Sequence, residues 1–219
     1  MSRPPRAAVL RVTREGAVLE LLELLSNTYN SRLTELQAEL AAHRAKIKDL
    51  ESKIEIDPLV DVLNRRGLDR ELNGAIAHSV RYGSSVAIIF IDLDNFKTIN
   101  DRWGHPVGDE VLRMIAKALS RSVRGSDVVA RVGGDEFAVL LWNISESGAL
   151  GKATAIEHII AATEIPSAGR CVSVGASAGV AMIGPGDCPN DVMARADAEM
   201  YARKSQQARR TNETGNMAA

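Results

Sequence analysis

Two cysteines, Cys171 and Cys188, are all that the chain carries in 219 residues. They are too few and too far apart for a disulfide framework or a zinc site, so a reduced interior is the plain reading. Aromatic residues make up only 4% of the chain, which denies it a base-stacking platform, and a net charge of −1 denies it the basic surface of a nucleic-acid binder. The four histidines (His43, His78, His105 and His158) are scattered without ligand spacing. No apolar stretch approaches the roughly eighteen residues of a membrane span. Arg11, Arg14 and Glu15 interrupt any signal-peptide core behind the basic start Met1-Ser-Arg-Pro-Pro-Arg. These absences predict a cytoplasmic, soluble protein with no nucleic-acid partner and no membrane span. With 45% apolar and 25% charged residues, the chain can build one well-cored domain and an appendage.

The most informative stretch is Arg131-Val-Gly-Gly-Asp-Glu-Phe137. It separates the β-branched run Val128 to Val132 from the apolar run Phe137 to Leu141, which predicts two strands joined by a tight hairpin. Gly133 and Gly134 are expected to supply the positive φ of that turn. Asp135 and Glu136 then stand at its tip. Paired carboxylates on a rigid sheet suit Mg²⁺, which takes hard oxygen ligands and shares them with substrate phosphates. A solvated polar turn is an equally good reading of this segment alone. Upstream, Val86 to Ile91 is a continuous apolar run, the pattern of a strand covered on both faces, and Asp92 closes it. A central sheet can therefore present Asp92 beside the hairpin.

Apolar residues also recur at a period of three and a half: Leu19, Leu22, Ser26, Tyr29, Leu33, Leu36, Leu40, His43, Ile47, Leu50 and Ile54. Sustained over roughly five heptads, this narrow strip predicts a parallel coiled coil with Ser26 and His43 as its polar positions. Asp57-Pro58 ends it, because proline disfavours helix in the residue before it. Helices are expected from Gly67 to Tyr82, Pro106 to Val123, Glu146 to Ala162 and Pro189 to about Gln207. Cys171 to Met182 reads as one strand. The pattern gives an α+β sandwich with helices covering a mainly antiparallel sheet. The expected organisation is a flexible N-terminus over 1–14, a coiled-coil dimerisation stalk over 15–56, a catalytic domain over 57–207 and a disordered tail over 208–219.

Taken together, the Asp92 strand and the Asp135–Glu136 hairpin, in this order, resemble the GGDEF family of diguanylate cyclases, from about Asp57 to Lys204. The resemblance implies a fold similar to the polymerase palm and the nucleotide cyclases, and condensation of two GTP into cyclic di-GMP by facing domains of a homodimer. It implies two Mg²⁺ per site (Mn²⁺ being the alternative), held by Asp92, Asp135 and the Leu93 carbonyl, with Glu136 binding metal or assisting deprotonation. It implies that Asn95, Phe96 and Lys97 open a turn facing the β- and γ-phosphates, that Asn100 and Asp109 read guanine, and that Lys204 reaches the triphosphate. Where the family places Gly-Arg after that lysine, this chain has Ser205-Gln206-Gln207-Ala208-Arg209-Arg210, leaving Arg209 as the candidate substitute. Arg124 and Asp127 match the family's product-inhibition site, where cyclic di-GMP would bind. The entry signature is altered: Val60, Asp61 and Leu63 replace the usual Thr, Gly and Pro. Two other readings carry over: a receptor that binds cyclic di-GMP or GTP with little catalysis, and a coiled-coil scaffold for a protein partner at the N-terminus.

Overall fold

The computed structural model describes residues 14–51, 54–167 and 170–217; of the flexible start expected over residues 1–14 all but Arg14, and of the expected tail residues 218–219, lie outside the described residues. The chain divides into two units, between Lys53 and Ile54. The first contains α1 (Arg14–Glu51), a continuous helix with no proline to break it. Its seam residues Leu19, Leu22, Tyr29, Leu33, Leu36, Leu40 and Ile47 are all exposed, as are Val18, Leu21, Leu24 and Leu25, which widen the apolar strip near its start. The helix as described ends at Glu51, short of the expected Ile54. Ile54 opens the second unit, where its carbonyl accepts from the Asn64 Nδ2 at 2.9 Å.

Asp57 organises the entry to the second unit. Its Oδ1 accepts the Leu59 and Val60 N–H groups at 2.9 and 3.2 Å, and its carbonyl accepts the Asp61 N–H at 3.1 Å. To close this turn Asp61 takes φ 54°, a left-handed conformation that costs an L-residue about 1 kcal/mol. Glycine adopts it without that cost but loses more freedom on folding, so Asp61→Gly should raise stability by about 0.5 kcal/mol. Thermal denaturation should show Tm up by about 1–2 °C; an unchanged or lower Tm would contradict a strained turn.

Asn64 then caps α2 (Arg65–Tyr82), its side chain accepting from the Gly67 N–H. The chain continues through β1 (Val86–Asp94), α3 (Phe96–Trp103), α4 (His105–Ser122), β2 (Val128–Arg131), β3 (Glu136–Trp142), α5 (Glu146–Ala161), β4 (Ile165–Ser167), β5 (Arg170–Val172), β6 (Gly175–Ile183) and α6 (Pro189–Met217). Four strands form one sheet in the order β2-β3-β1-β6, every neighbouring pair antiparallel, while β4 and β5 make a separate hairpin. Alternation along β1 sends Ile89, Ile91 and Leu93 into a core with Ile115 and Leu119 of α4 and Ile156 and Ile160 of α5. Ile88 and Phe90 pack on the other face with Leu68 and Leu72 of α2 and Val192 and Met193 of α6. The expected α+β sandwich is what forms, and by the same alternation Asp92 and Asp94 share the α2–α6 face.

Four local expectations are corrected. The turn expected after the Asp92 strand is only Asn95, at φ 56°, and Phe96 already begins α3. The single strand expected over Cys171 to Met182 is two, because Arg170–Val172 pairs with β4 rather than with the main sheet. The last helix continues beyond Gln207 to Met217, where a disordered tail was expected. Neither Gly133 nor Gly134 has positive φ. What Gly133 provides is room: a Cβ there would lie 2.3 Å from Oε2 of Glu136.

Candidate active site

Register brings the acidic residues together. Asp92 is the cross-strand partner of Glu136, and the Leu93 N–H donates to the Asp135 carbonyl at 3.2 Å. The residues expected to hold metal, Asp92, Leu93 and Asp135, thus stand on adjoining strand ends with Glu136 beside them. Arg131 braces the loop between β2 and β3: its Nε and Nη2 donate to the Gly134 carbonyl at 3.2 and 2.7 Å, and its Nη1 lies 3.3 Å from the Asp57 carboxylate. Both partners are largely buried, so the loop that presents Asp135 is tied to the turn at the domain entry.

The face toward α6 adds groups to which the sequence had assigned no such contacts. Lys204 donates to Asp92 and lies 3.5 Å from Asp94, whose Oδ1 also accepts from the Ser177 hydroxyl at 3.0 Å. Burial pulls the Lys204 amine down, but the Asp92 and Asp94 carboxylates outweigh it and hold its pKa above the usual lysine value. Glu136 is pushed the other way from an ordinary carboxyl. Burial raises it first, and the negative charges of Asp92, Asp135 and Asp197 raise it further, against a smaller pull from Arg65. Among the described residues no three His, Cys, Asp or Glu side chains make a set that would hold an ion unaided. Two carboxylates and a carbonyl are instead a partial shell of the kind that Mg²⁺ completes with phosphate and water. The crowded negative charge around Glu136 fits a cation there.

That crowding has a pH signature. A carboxyl whose pKa is higher folded than unfolded destabilises the fold as pH rises from the unfolded carboxylate value through the raised folded value. In cation-free buffer, Glu136→Gln should therefore melt above the wild type at pH 7, and the gap should close toward pH 4. A gap that persists at pH 4, or none at pH 7, would show that the repulsion is not there.

The remaining expected residues fall in two places. Asn95, Phe96 and Lys97 open α3 directly after β1, with Phe96 buried and Lys97 exposed. Asn100 lies on α3 and Asp109 on α4, and Gly104 at φ 83° turns the chain between them. Gly108 leaves room for the Asn100 side chain, since a Cβ there would sit 1.9 Å from its Oδ1. Arg124 and Asp127 stand apart from this group, at the opposite end of β2 from the hairpin tip. They border a cavity of about 150 Å³ with Trp142 and Lys152. Asp127 accepts the Arg124 N–H at 3.0 Å and the Trp142 N–H at 3.2 Å, so it holds a turn that the sequence did not foresee. The side chain of Arg209 lies outside the described residues. Sequence reasoning also gave no role to Asp94, Ser177, Arg131 or Gly108. Asp94 alone had a readable signal, its spacing of two from Asp92 on a strand.

An antiparallel sheet backed by helices, with carboxylates gathered at the end of its inner strand β1, makes this an α+β domain with an acidic site at one sheet end. The family described as "Diguanylate cyclase, GGDEF domain" matches residues 54–210, and the chain belongs to it. It is similar to diguanylate cyclase DosC of Escherichia coli, 34% identical over 190 residues, covering 85% of this chain and 39% of that protein. Diguanylate cyclase TpbB of Pseudomonas aeruginosa is 37% identical over 196 residues, covering 88% of this chain and 44% of TpbB. The chain thus spans less than half the length of these relatives. The crystal structure of the coiled coil and GGDEF domain of DgcB from Caulobacter crescentus, in complex with c-di-GMP, superposes with a TM-score of 0.66 at 28% identity, over 82% of this chain and 95% of that one. No described helix is long and apolar enough to cross a membrane.

Proposed function

We propose that this protein is a diguanylate cyclase that condenses two GTP into cyclic di-GMP and two pyrophosphates. The observation that carries the reading is the pairing of Asp92 with Glu136, with Asp135 held at Leu93, on the face where Lys204 stands. Asp92, Asp135 and the Leu93 carbonyl would hold divalent cations, Mg²⁺ or Mn²⁺. When bound, such a pair neutralises phosphate charge and acidifies a ribose 3′-hydroxyl. Glu136, with its raised pKa, suits the role of accepting that hydroxyl's proton. Lys204, paired here with Asp92 and Asp94, would present its ammonium to the triphosphate. Lys97 and the backbone N–H groups opening α3 would meet the outer phosphates. Asn100 and the Asp109 carboxylate would read the guanine edge, accepting from N1–H and the exocyclic amino group, a pair that adenine lacks.

One domain holds one GTP, so two must face each other. The exposed seam of α1 supports pairing with a second copy through a coiled coil, which would raise the domains' effective concentration. In this reading α1 is the stalk expected over 15–56, and the catalytic domain expected over 57–207 begins at Ile54. Arg124 would grip cyclic di-GMP as feedback inhibitor, with Asp127 as its partner. Arg124→Ala should then raise the inhibition constant for cyclic di-GMP at least about tenfold, as expected for loss of a bidentate guanidinium contact; an unchanged constant would remove that site.

Gly108→Ala tests the guanine subsite separately. The added methyl must displace the Asn100 amide, so the KM for GTP should rise about tenfold or more while kcat changes less, which steady-state kinetics will separate. The basic assay is GTP turnover with Mg²⁺ and mass spectrometry of the product. A specific rate that climbs with protein concentration supports the reading, and binding of cyclic di-GMP without turnover supports the receptor instead.

A further inference from the structure

β6 is an outer strand of the main sheet, with α5 packed on one face and α6 on the other. Edge strands leave backbone groups unpaired, and here a side chain covers one of them: Glu157 of α5 accepts the Ala178 N–H with Oε1 at 2.9 Å. The other oxygen of the same carboxylate faces Arg203 of α6 at 3.6 Å, with the two side chains only 13% and 25% exposed. Glu157 therefore reaches around the open edge of the sheet and joins the two helical layers. The join is one residue from Lys204. Immediately below, α6 crosses β6 backbone against backbone at Gly179, where a Cβ would lie 2.2 Å from both the Ala196 oxygen and the Met200 nitrogen. Gly179 fixes how closely α6 approaches, but it has no side chain to fix how the helix end is turned. Arg203 also has a buried Nη1 without a partner among the described residues, a desolvation cost that is retained in exchange for the contact to Glu157.

We propose that Arg203 and Glu157 are positioning residues: their ion pair across the edge of β6 sets the rotation of α6 and so holds Lys204 over Asp92 and Asp94, where the triphosphate is received. The inference rests on the proposed GTP site and assigns Arg203 no contact with nucleotide.

The test is binding of a GTP analogue with a non-hydrolysable α,β-methylene link, titrated in Mg²⁺ buffer by calorimetry. Arg203→Ala should weaken binding about five- to twentyfold. Glu157→Gln, which keeps an oxygen for the Ala178 N–H and removes only the charge, should weaken it comparably, and it stands in if Arg203→Ala does not fold. In a Lys204→Ala background either change should have no further effect. An equal loss with and without Lys204, or no loss from either single variant, overturns the inference. Wild type that fails to bind the analogue at all overturns instead the GTP site on which it rests.

Discussion

Asp135→Asn protein, given GTP and Mg²⁺, will release cyclic di-GMP at about a thousandth of the wild-type rate or less. The size follows from what the side chain is asked to do: withdrawing one preorganised charge from a transition state that spreads negative charge over phosphate costs on the order of a thousandfold. The fold should survive. Asp135 is held in the hairpin by its carbonyl, which accepts from the Leu93 N–H, and its neighbour Gly134 is gripped by Arg131. Neither contact uses the carboxylate. Removing a negative charge beside Glu136 also relieves repulsion, so the variant should melt no lower than the wild type in cation-free buffer. Chromatographic product analysis beside a melting curve checks both halves. A variant that keeps a tenth of the activity, or that unfolds, would contradict this account of the site.

The second large effect concerns α1. Leu33→Lys with Leu40→Lys puts charges into the seam and leaves every residue of the second unit unchanged. The mass in solution should fall from dimer to monomer. At nanomolar protein the specific activity should drop about a hundredfold and then climb in proportion to concentration, because pairing of the two half-sites becomes bimolecular. Light scattering and turnover across a dilution series measure both. An unchanged mass, or a specific activity that ignores dilution, would mean that the helix does not bring the domains together.

The centre of the site was legible because its signals are local. An apolar run ending at Asp92 and a second broken by Gly-Gly-Asp-Glu each report a strand by composition, and two buried strands of such length pair readily in one sheet. The hairpin's conformation was read wrongly at its glycines: Gly133 is there for the space that Glu136 fills and not for positive φ. α3 escaped because eight residues directly after a strand and a single left-handed Asn95 leave too little periodic pattern to see. β4 escaped because Pro166 argues against a strand, yet a short two-stranded hairpin tolerates it. Within Cys171 to Met182 only Ser173 and Val174 separate the two strands, too short a break to read from composition, and the partner then changes. Lys204 on Asp92, Arg131 on Asp57 and Glu157 on Arg203 join residues far apart in the chain, and no spacing announces them.

Anomalous diffraction from crystals grown with Mn²⁺ and the α,β-methylene GTP analogue will show where the domain binds its cation. Metal density should lie against the carboxylates of Asp92 and Asp135, with the Lys204 amine moved from Asp92 to phosphate. Nucleotide bound with no metal at these two carboxylates, or metal lodged elsewhere in the domain, would contradict that placement.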